Sequence, residues 1–578
     1  MNRIERNEVL ISDWKEWFYF KDPYQIIAAA TLDDVTASLV EVEKRVEVNG
    51  WHAAGFLSYE AAPAFEPMLP RRPAGRFPYL WFGLYPTPAT VKLPAPLHPR
   101  GVLEWSPIVG QEAYNTAIDK IREYITDGRT YQVNYTLPLH ADFNSSPWDF
   151  FLHLARTQNN HAAYVDAGQY VICSASPELF FQLDGNTITC RPMKGTVKRG
   201  RTPREDQAQA DWLENSEKNR AKNVMIVDMI RNDLGRIAGA GSVDVPELFK
   251  VERYPTLWQM TSTVTAQTKA SVTEIFHTLF PCASITGAPK ISTMRIIHEL
   301  ETTPRRIYTG VIGYISPDRK ANFSVAIRTA LIDRQEQNAE YGIGGGIVWD
   351  STRSDEYAEA LLKAEILTQA SPEFSLLETL LWTPEDGYFL KEKHVDRLLD
   401  SADYFDFSAQ PRLIEEYLEQ AALSFLQPQR VRLLLDRDGK LIIEAAQILL
   451  EGKLIQAHLA EMPVDSNNVF LYHKTTQRTV YDSARAPFPA CDDVLLYNEK
   501  YELTEFTIGN LIVELDGELV TPPIDCGVLA GTFRAHLLET GQVRERIVPL
   551  DRQKDCTQIF RVNSVRKWEI VQIQEYNR

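Results

Sequence analysis

Several residues in this sequence have types and spacings that chemistry can use. In CRPMKGTVKRG, Lys194 follows a strand-like run and precedes Gly195. A lysine is ordinarily a solvated charge, but burial lowers its pKa and frees the neutral amine as a nucleophile. Glu178, in SPELF, stands sixteen residues earlier. A hairpin turning at Asp184-Gly185 would bring it toward Lys194, where a carboxylate could shuttle protons. The run SDEYAEALLKAEILTQA, 354–370, reads as a helix with Glu356, Glu359 and Lys363 at i, i+3 and i+7, one face. Its two carboxylates are either a solvated acidic stripe or a Mg²⁺ site completed by water and an anionic substrate. GIGGGIV, 342–348, is not a dinucleotide fingerprint, but its glycines let backbone lie close against another group such as a carboxylate. Farther on, LYHKTTQR offers Lys474, and Glu505 follows thirty-one residues later before a strand. Surface charge is one reading of that pair. The other is a Schiff-base lysine for pyridoxal phosphate, with a carboxylate at the pyridine nitrogen and phosphate anchors elsewhere. Gly531-Thr532 ahead of a helix, and Arg397 on another helix, are candidate anchors.

The elements that position these residues belong to a chain of 578 residues. At about 150 residues per domain this length fits three or four units, or two large ones. Hydrophobic residues at 44% and charged residues at 24% are ordinary globular composition. A net charge of −17 repels nucleic acid and anionic membrane, while a local Arg and Lys cluster can still hold a small anion. The six cysteines form no CxxC pair and read as reduced thiols. No apolar leader and no run long enough for a membrane span is expected. The pattern predicts a helix over 111–127, a strand in TYQVNYTLPLHADF and a hairpin within 170–196. It predicts a helix over 215–236 with Val224, Val227, Asp228 and Arg231 on one side. Strands are expected at 311–316, 324–332 and 341–349. The Pro- and Gly-rich stretch 70–100 reads as a surface excursion. TQASPEF, 368–374, marks the main boundary, and the part beyond it again mixes strands and helices.

An ordered set of motifs carries a resemblance: YQVN (131–134), SPELF (176–180), RPMKGT (191–196), NVMIVDMIRNDLGR (223–236), SITGAPK (284–290), YTGVIGY (308–314), AIRTA (326–330), GGGIV (344–348) and EYAEALLKA (356–364). Over about 100–370 the chain closely resembles the chorismate-utilising enzymes. The resemblance implies an α/β domain, occupying 1–370, with facing sheets and the site between them. Family members that aminate chorismate at C4 carry Lys at the position of Lys194, whereas anthranilate synthases carry Ala. By resemblance Lys194 adds to C2 of chorismate, with Glu178 as general acid/base. Tyr308 and Arg328 would bind the ring carboxylate side, and Thr286, Gly287, Gly344, Gly346 and Lys363 would line the substrate carboxylates. Glu356 and Glu359 would hold Mg²⁺. Two positions depart from the family: Lys222 stands where a second carboxylate site for Mg²⁺ is usual, and Gln259 where many relatives have His.

Residues 371–578 resemble the class IV pyridoxal-phosphate enzymes, although the segment lacks the first strands of free-standing members. By resemblance Lys474 is the cofactor lysine and proton shuttle, and Glu505 contacts the pyridine nitrogen. Arg397 and Thr532 would hold the phosphate, with Thr507, Ile508 and Ser564. RVNSVRKW, 561–568, resembles the family's late NSVRG stretch, with Lys567 in place of its glycine. Together the resemblances imply a cytoplasmic two-module α/β (α+β) enzyme of p-aminobenzoate formation. Its ammonia would come from a separate glutamine amidotransferase, since no glutaminase signature is visible. The competing readings are an anthranilate or isochorismate synthase joined to a class IV aminotransferase, and a non-catalytic subunit degenerate at Lys222.

Overall fold

The computed structural model describes residues 4–13, 16–94, 96, 103–157, 160–364, 367, 372–449 and 453–574. The chain divides into two compact units, Met1–Lys198 with Ala210–Ser371, and Arg199–Gln209 with Pro372–Arg578. Residues 368–371 of the expected boundary lie outside the described residues.

In the first unit, β-branched and aromatic runs build two antiparallel sheets, each of ten strands among the described residues. One sheet runs from Gly287–Ala288 through Gln132–Asp142, Asn338–Ile347, Thr329–Asp333, Tyr170–Ser176 and His161–Ala167 to Val9–Asp13 and beyond. The other runs from Met193–Lys198 through Leu257–Gln267, Thr187–Arg191, Leu179–Asp184, Lys320–Val325 and Val311–Ser316 to His52–Leu57, Leu80–Tyr85 and Gln25–Ala29. The sheets face each other. Val9, Val165 and Ile172 of the first pack with Phe56, Trp81 and Ile312 of the second in one buried cluster. This is the facing-sheet arrangement that the first resemblance implies. Helices cover the outer faces, Gln111–Thr126 on the first sheet and Val35–Asn49, Glu217–Gly235 and Val272–Leu279 on the second.

Two of the points at which the chain passes from one sheet to the other lie side by side. Tyr170–Ser176 leads into Leu179–Asp184 through Pro177 and Glu178, and Lys320–Val325 leads into Thr329–Asp333 through Arg328. The crossings are tied together: Val325 N donates to Glu178 O at 3.0 Å, and Ala175 N to Arg328 O at 3.0 Å. Arg328 has φ +51°, an uncommon backbone state for a non-glycine residue.

Three sequence expectations are corrected. The stretch 70–100 is not simply a surface excursion, because Leu80–Tyr85 is a wholly buried strand. Its aromatic and aliphatic run outweighs the flanking prolines; residues 95 and 97–100 lie outside the described residues. On Glu217–Gly235 the buried face is Asn223, Ile226, Val227, Ile230 and Leu234. Val224, Asp228 and Arg231 lie on the exposed side, since an apolar stripe forms where the neighbouring sheet is. The helix expected over 354–370 is Arg353–Leu362. Lys363 and Ala364 form a tight closing turn, with Ala364 N donating to Leu361 O at 2.9 Å, and 365–366 and 368–370 lie outside the described residues.

In the second unit, Gly387–Tyr388, Leu376–Thr383, Gln429–Leu435 and Leu441–Gln447 form a four-stranded sheet. The helices Lys391–Phe405 and Pro411–Ala422 bury Leu398, Ile414 and Leu418 against it. A second sheet has eight strands among the described residues. Pairing of Leu503–Phe506 with Gly509–Leu515 closes six of these into a ring. The segment Arg199–Gln209 is an integral part of this unit. Tyr404 Oη donates to Gly200 O at 2.7 Å, His473 Nε2 lies 3.2 Å from Arg201 O, and Arg201 Nη1 donates to Tyr472 Oη at 2.8 Å. Buried Arg199 is ion-paired with buried Asp206 at 2.6 Å. Asp206→Ala removes the carboxylate from this buried ion pair, which typically costs about 3 kcal/mol or more. Calorimetry of the full chain is therefore expected to show a lower unfolding midpoint; an unchanged midpoint would contradict this role.

Candidate functional site

Lys194 sits at an irregularity in the sheet. The strand Met193–Lys198 pairs with Leu257–Gln267, and the register shifts between Met193 and Thr196. Such a shift re-aims side chains locally. Gly195, at φ +104°, allows it, and Gln259 Nε2 holds the shifted backbone by donating to Gly195 O at 2.8 Å. Lys194 Nζ donates to Ser284 O at 3.2 Å, and Ser284 Oγ donates to Glu178 Oε1 at 2.6 Å. One serine thus bridges the lysine and the carboxylate. Burial pushes Glu178 up to about 7, against the opposing Ser284 hydrogen bond and the Lys194 charge. Burial pushes Lys194 down to about 8, opposed by Glu178 and reinforced by the charges of Lys363 and Lys222. Lys194 as a whole residue is half-buried.

The glycines of Asn338–Ile347 leave room in front of this lysine. A Cβ at Gly346 would lie 2.9 Å from Gln132 Nε2 and 3.5 Å from Lys194 Nζ. Gln132 Nε2 is buried and without an acceptor among the described residues. A Cβ at Gly345 would lie 3.1 Å from Glu356 Oε2, and Lys363 Nζ donates to Gly344 O at 2.9 Å. Lys363 is also ion-paired to Glu359 at 2.8 Å. Thr286 Oγ1 turns back to Cys282 O, while Thr286 O and Gly287 dock on the strand carrying Gln132. Tyr308 lies with its ring over Gly342, where a Cβ would come within 2.1 Å of it. Arg328 is held between sheets, and burial lowers its pKa while Tyr341 and Tyr254 oppose this. The structure thus brings together Lys194, Glu178, Gly344, Gly346, Lys363, Glu356 and Glu359. Ser284 and Gln132 join them without having been singled out; both lie inside quoted motifs, which was the available signal.

In the second unit, Lys474 O accepts from Leu377 N at 2.9 Å, which fixes the lysine beside the four-stranded sheet. Its Nζ makes no hydrogen bond or ion pair among the described residues. Burial lowers Lys474 to about 8, helped by Arg397 and Arg478 and opposed by Glu378 and Glu505. Burial raises Glu505 to about 7, although Tyr481 Oη donates to Oε1 at 2.8 Å and Leu529 N to Oε2 at 3.2 Å. Asn510 Nδ2 donates to Oε2 at 3.0 Å. A Cβ at Gly531 would fall 1.8 Å from Asn510 Oδ1, so any side chain here would have to displace the Asn510 amide that holds Glu505. Arg397 Nε and Nη2 grip Glu378 at 2.8 and 2.7 Å, and Nη1 donates to Ala530 O at 2.9 Å. Two of its five N–H groups remain for an anion. Burial would raise Glu378, but Arg397 and His394 hold it near 2. His394 Nδ1 lies 2.6 Å from Glu378, and its Nε2 lies 3.1 Å from Thr532 Oγ1. Thr532 opens the helix Thr532–Glu539.

Arg397, Thr532, Lys474 and Glu505 therefore share one region. Thr507 gives its hydroxyl and its N–H to Asp493, Ser564 Oγ donates to Thr379 O at 3.1 Å, and Ile508 is exposed. Glu378, His394, Arg478, Tyr481 and Asn510 went unnoticed in the sequence. His394, three residues before Arg397 on one helical face, and Arg478, four residues after Lys474, are the two of them that spacing could have signalled. A lysine with no ion pair among the described residues, a buried carboxylate, a glycine packed closely on Asn510 and a helix N-terminus fit pyridoxal phosphate.

The profile of chorismate binding enzymes matches residues 8–369. The chain belongs to this family. The profile of class IV amino-transferases matches residues 375–575. Aminodeoxychorismate synthase component 1 of Escherichia coli (strain K12) is 42% identical over 265 residues, 45% of this chain and 58% of that protein. Aminodeoxychorismate synthase of Streptomyces griseus is 35% identical over 364 residues, 62% of this chain and 46% of that protein. The matches thus span about half the length of these relatives. The crystal structure of anthranilate synthase component I from Streptococcus pneumoniae TIGR4 superposes with TM-score 0.53 at 25% identity, covering 64% of this chain and 94% of that one. Among the described residues, no helix is long and apolar enough to cross a membrane.

The donor set for the family's expected Mg²⁺ can be tested directly. Glu356 Oε1 accepts from Ser351 Oγ at 2.5 Å, and Glu359 is taken by Lys363. Burial opposes charge on Glu359, yet the ammonium groups of Lys363, Lys222 and Lys194 outweigh it and lower its pKa. Among the described residues, no group of three or more His, Cys, Asp or Glu could hold a metal. Like unit charges 4 Å apart repel by roughly 4 kcal/mol at an effective dielectric of 20, and a dication doubles that. These residues do not fit Mg²⁺.

Proposed function

We propose that this chain makes p-aminobenzoate from chorismate in two steps. Residues 1–370 would aminate chorismate at C4 to 4-amino-4-deoxychorismate, and residues 371–578 would eliminate pyruvate from it. The observation that supports this most is the Lys194–Ser284–Glu178 chain. It places an amine with a lowered pKa beside a carboxyl with a raised one, the pairing that nucleophilic addition with proton transfer needs. In this reading Lys194 Nζ adds to C2, and the 4-hydroxyl leaves with a proton from Glu178. Ammonia then adds at C4, and the Lys194 amine is expelled. Arg328 and Lys363 are the cations for a dianionic substrate, with Tyr308, Thr286, Gly287, Gly344 and Gly346 shaping its space. No step is routed through Mg²⁺. The ammonia donor is a separate glutamine amidotransferase, in keeping with the "component 1" of the Escherichia coli relative's name.

In the second step pyridoxal phosphate, when bound, supplies an electron sink for the bond that breaks. Lys474 Nζ takes a proton from the substrate and returns it. Glu505 holds negative charge at the pyridine nitrogen, and Arg397 with Thr532 anchors the phosphate. Thr507, Ile508 and Ser564 complete that wall. We place the protein in the cytoplasm, where its six unpaired cysteines stay reduced.

The test is product identification from chorismate, ammonium and pyridoxal phosphate. p-Aminobenzoate and pyruvate are expected. Accumulated aminodeoxychorismate would refute the second step, and anthranilate would refute the role of Lys194. The pH profile of chorismate consumption gives a second check. Addition requires neutral Lys194, and departure requires protonated Glu178. With Glu178 near 7 and Lys194 near 8, the singly protonated pair peaks between these values, so the profile is a bell. Glu178→Gln is expected to be slower and to lose the alkaline fall. A falling limb that persists in this variant would exclude Glu178 as the acid.

A further inference from the structure

The charges around the glycine stretch balance without a metal. Glu356 and Glu359 supply two carboxylates, and Lys363 already binds Glu359 at 2.8 Å and Gly344 O at 2.9 Å. Lys222 brings a second ammonium from another element. It lies one turn beyond Asn219 on the helix Glu217–Gly235. The Asn219 Cβ is 3.0 Å from where a Cβ at Gly195 would stand, so this part of the helix abuts the strand of Lys194. The Lys222 charge acts on Glu356, Glu359 and Lys194 alike. A small divalent cation needs several oxygen donors and is repelled by ammonium groups. Two carboxylates within the influence of two ammonium groups leave no net negative charge for a dication.

We propose that the Lys222 ammonium is the resident cation of this site, so that a substrate carboxylate binds there beside Lys222 and Lys363 without Mg²⁺. This rests on reading the site as a chorismate site. A lysine carries one charge where the metal would carry two, and the helix holds it in place. Binding then does not depend on free divalent metal.

The experiment uses the full chain and Mn²⁺ alone as the probe, followed by the loss of its free electron paramagnetic resonance signal. Wild type is expected to bind no stoichiometric Mn²⁺ and to consume chorismate unchanged in EDTA. Lys222→Glu is expected to bind one Mn²⁺ per chain and to become sensitive to EDTA. Lys222→Met is expected to bind no Mn²⁺ and to raise KM for chorismate about tenfold, the loss of one charge-assisted contact. One Mn²⁺ per wild-type chain, lost in Glu359→Gln, would overturn the proposal, as would abolition of wild-type turnover by EDTA with rescue by Mg²⁺. Failure to consume chorismate in any buffer would count against the proposed function alone, because the Mn²⁺ titration still decides the cation.

Discussion

Lys194→Ala is expected to abolish chorismate amination, lowering the rate by roughly a thousandfold or more while leaving the cofactor absorbance of the second unit unchanged. The size of the effect follows from the absence of a substitute. Glu178 and Ser284 can move protons, but a carboxyl held partly protonated and an unactivated hydroxyl are far weaker nucleophiles than a neutral amine. Lys363, the other lysine at the glycine stretch, is committed to Glu359 and Gly344 O. The variant also removes one of three ammonium groups from this cluster, so its fold is not expected to suffer. The measurement is chorismate loss by chromatography, with an unfolding scan as control. A rate within an order of magnitude of wild type would mean that ammonia reaches C4 without a covalent adduct, and the nucleophile would have to be abandoned.

Lys474→Ala is the complementary case. The protein is expected to lose the visible absorbance of lysine-bound pyridoxal phosphate and all pyruvate release, while chorismate consumption stays intact and aminodeoxychorismate accumulates. Nothing nearby can replace the amine. Arg397 and Arg478 are permanent cations, and His394 sits between Glu378 and Thr532 with a pKa lowered chiefly by burial. The test pairs spectroscopy with pyruvate assay. Continued pyruvate release at the wild-type rate would sink the assignment. Loss of chorismate consumption as well would show that the two steps are not separable, contrary to the proposal.

Much of the first site was legible in the sequence because its residues lie in short local patterns. Glu356, Glu359 and Lys363 were grouped by helical register, and the grouping holds although the helix ends at Leu362. Lys363 in the closing turn still reaches Glu359, four residues back. Glu178 and Lys194 were linked through a hairpin that the chain does form, Leu179–Asp184 with Thr187–Arg191. Polar partners were harder to see. Ser284 bridges Glu178 and Lys194 across 106 and 90 residues. Spacing says nothing about such a contact. Glu378 was invisible for a similar reason: it lies in an apolar strand, and its partners Arg397 and His394 come from the next helix. Leu80–Tyr85 was misread because proline and glycine punctuation dominates local composition, whereas burial in a sheet depends on neighbours far along the chain.

The sequence by itself determined which groups are available for chemistry: two lysines, each with a carboxylate, the glycines beside them, and the lone cation Lys222. Tertiary structure decided their chemical state. Glu178 and Glu505 move up toward about 7, and Lys194 and Lys474 move down to about 8, mainly because each is surrounded by protein. Desolvation depends on every atom packed around a charge, and no local pattern encodes that. Tertiary structure also decided that Arg199–Gln209, which directly follows the strand of Lys194, belongs with the unit that carries Lys474. A peptide of eleven residues has no fold of its own. Buried partners such as Tyr404 and His473 fix its place.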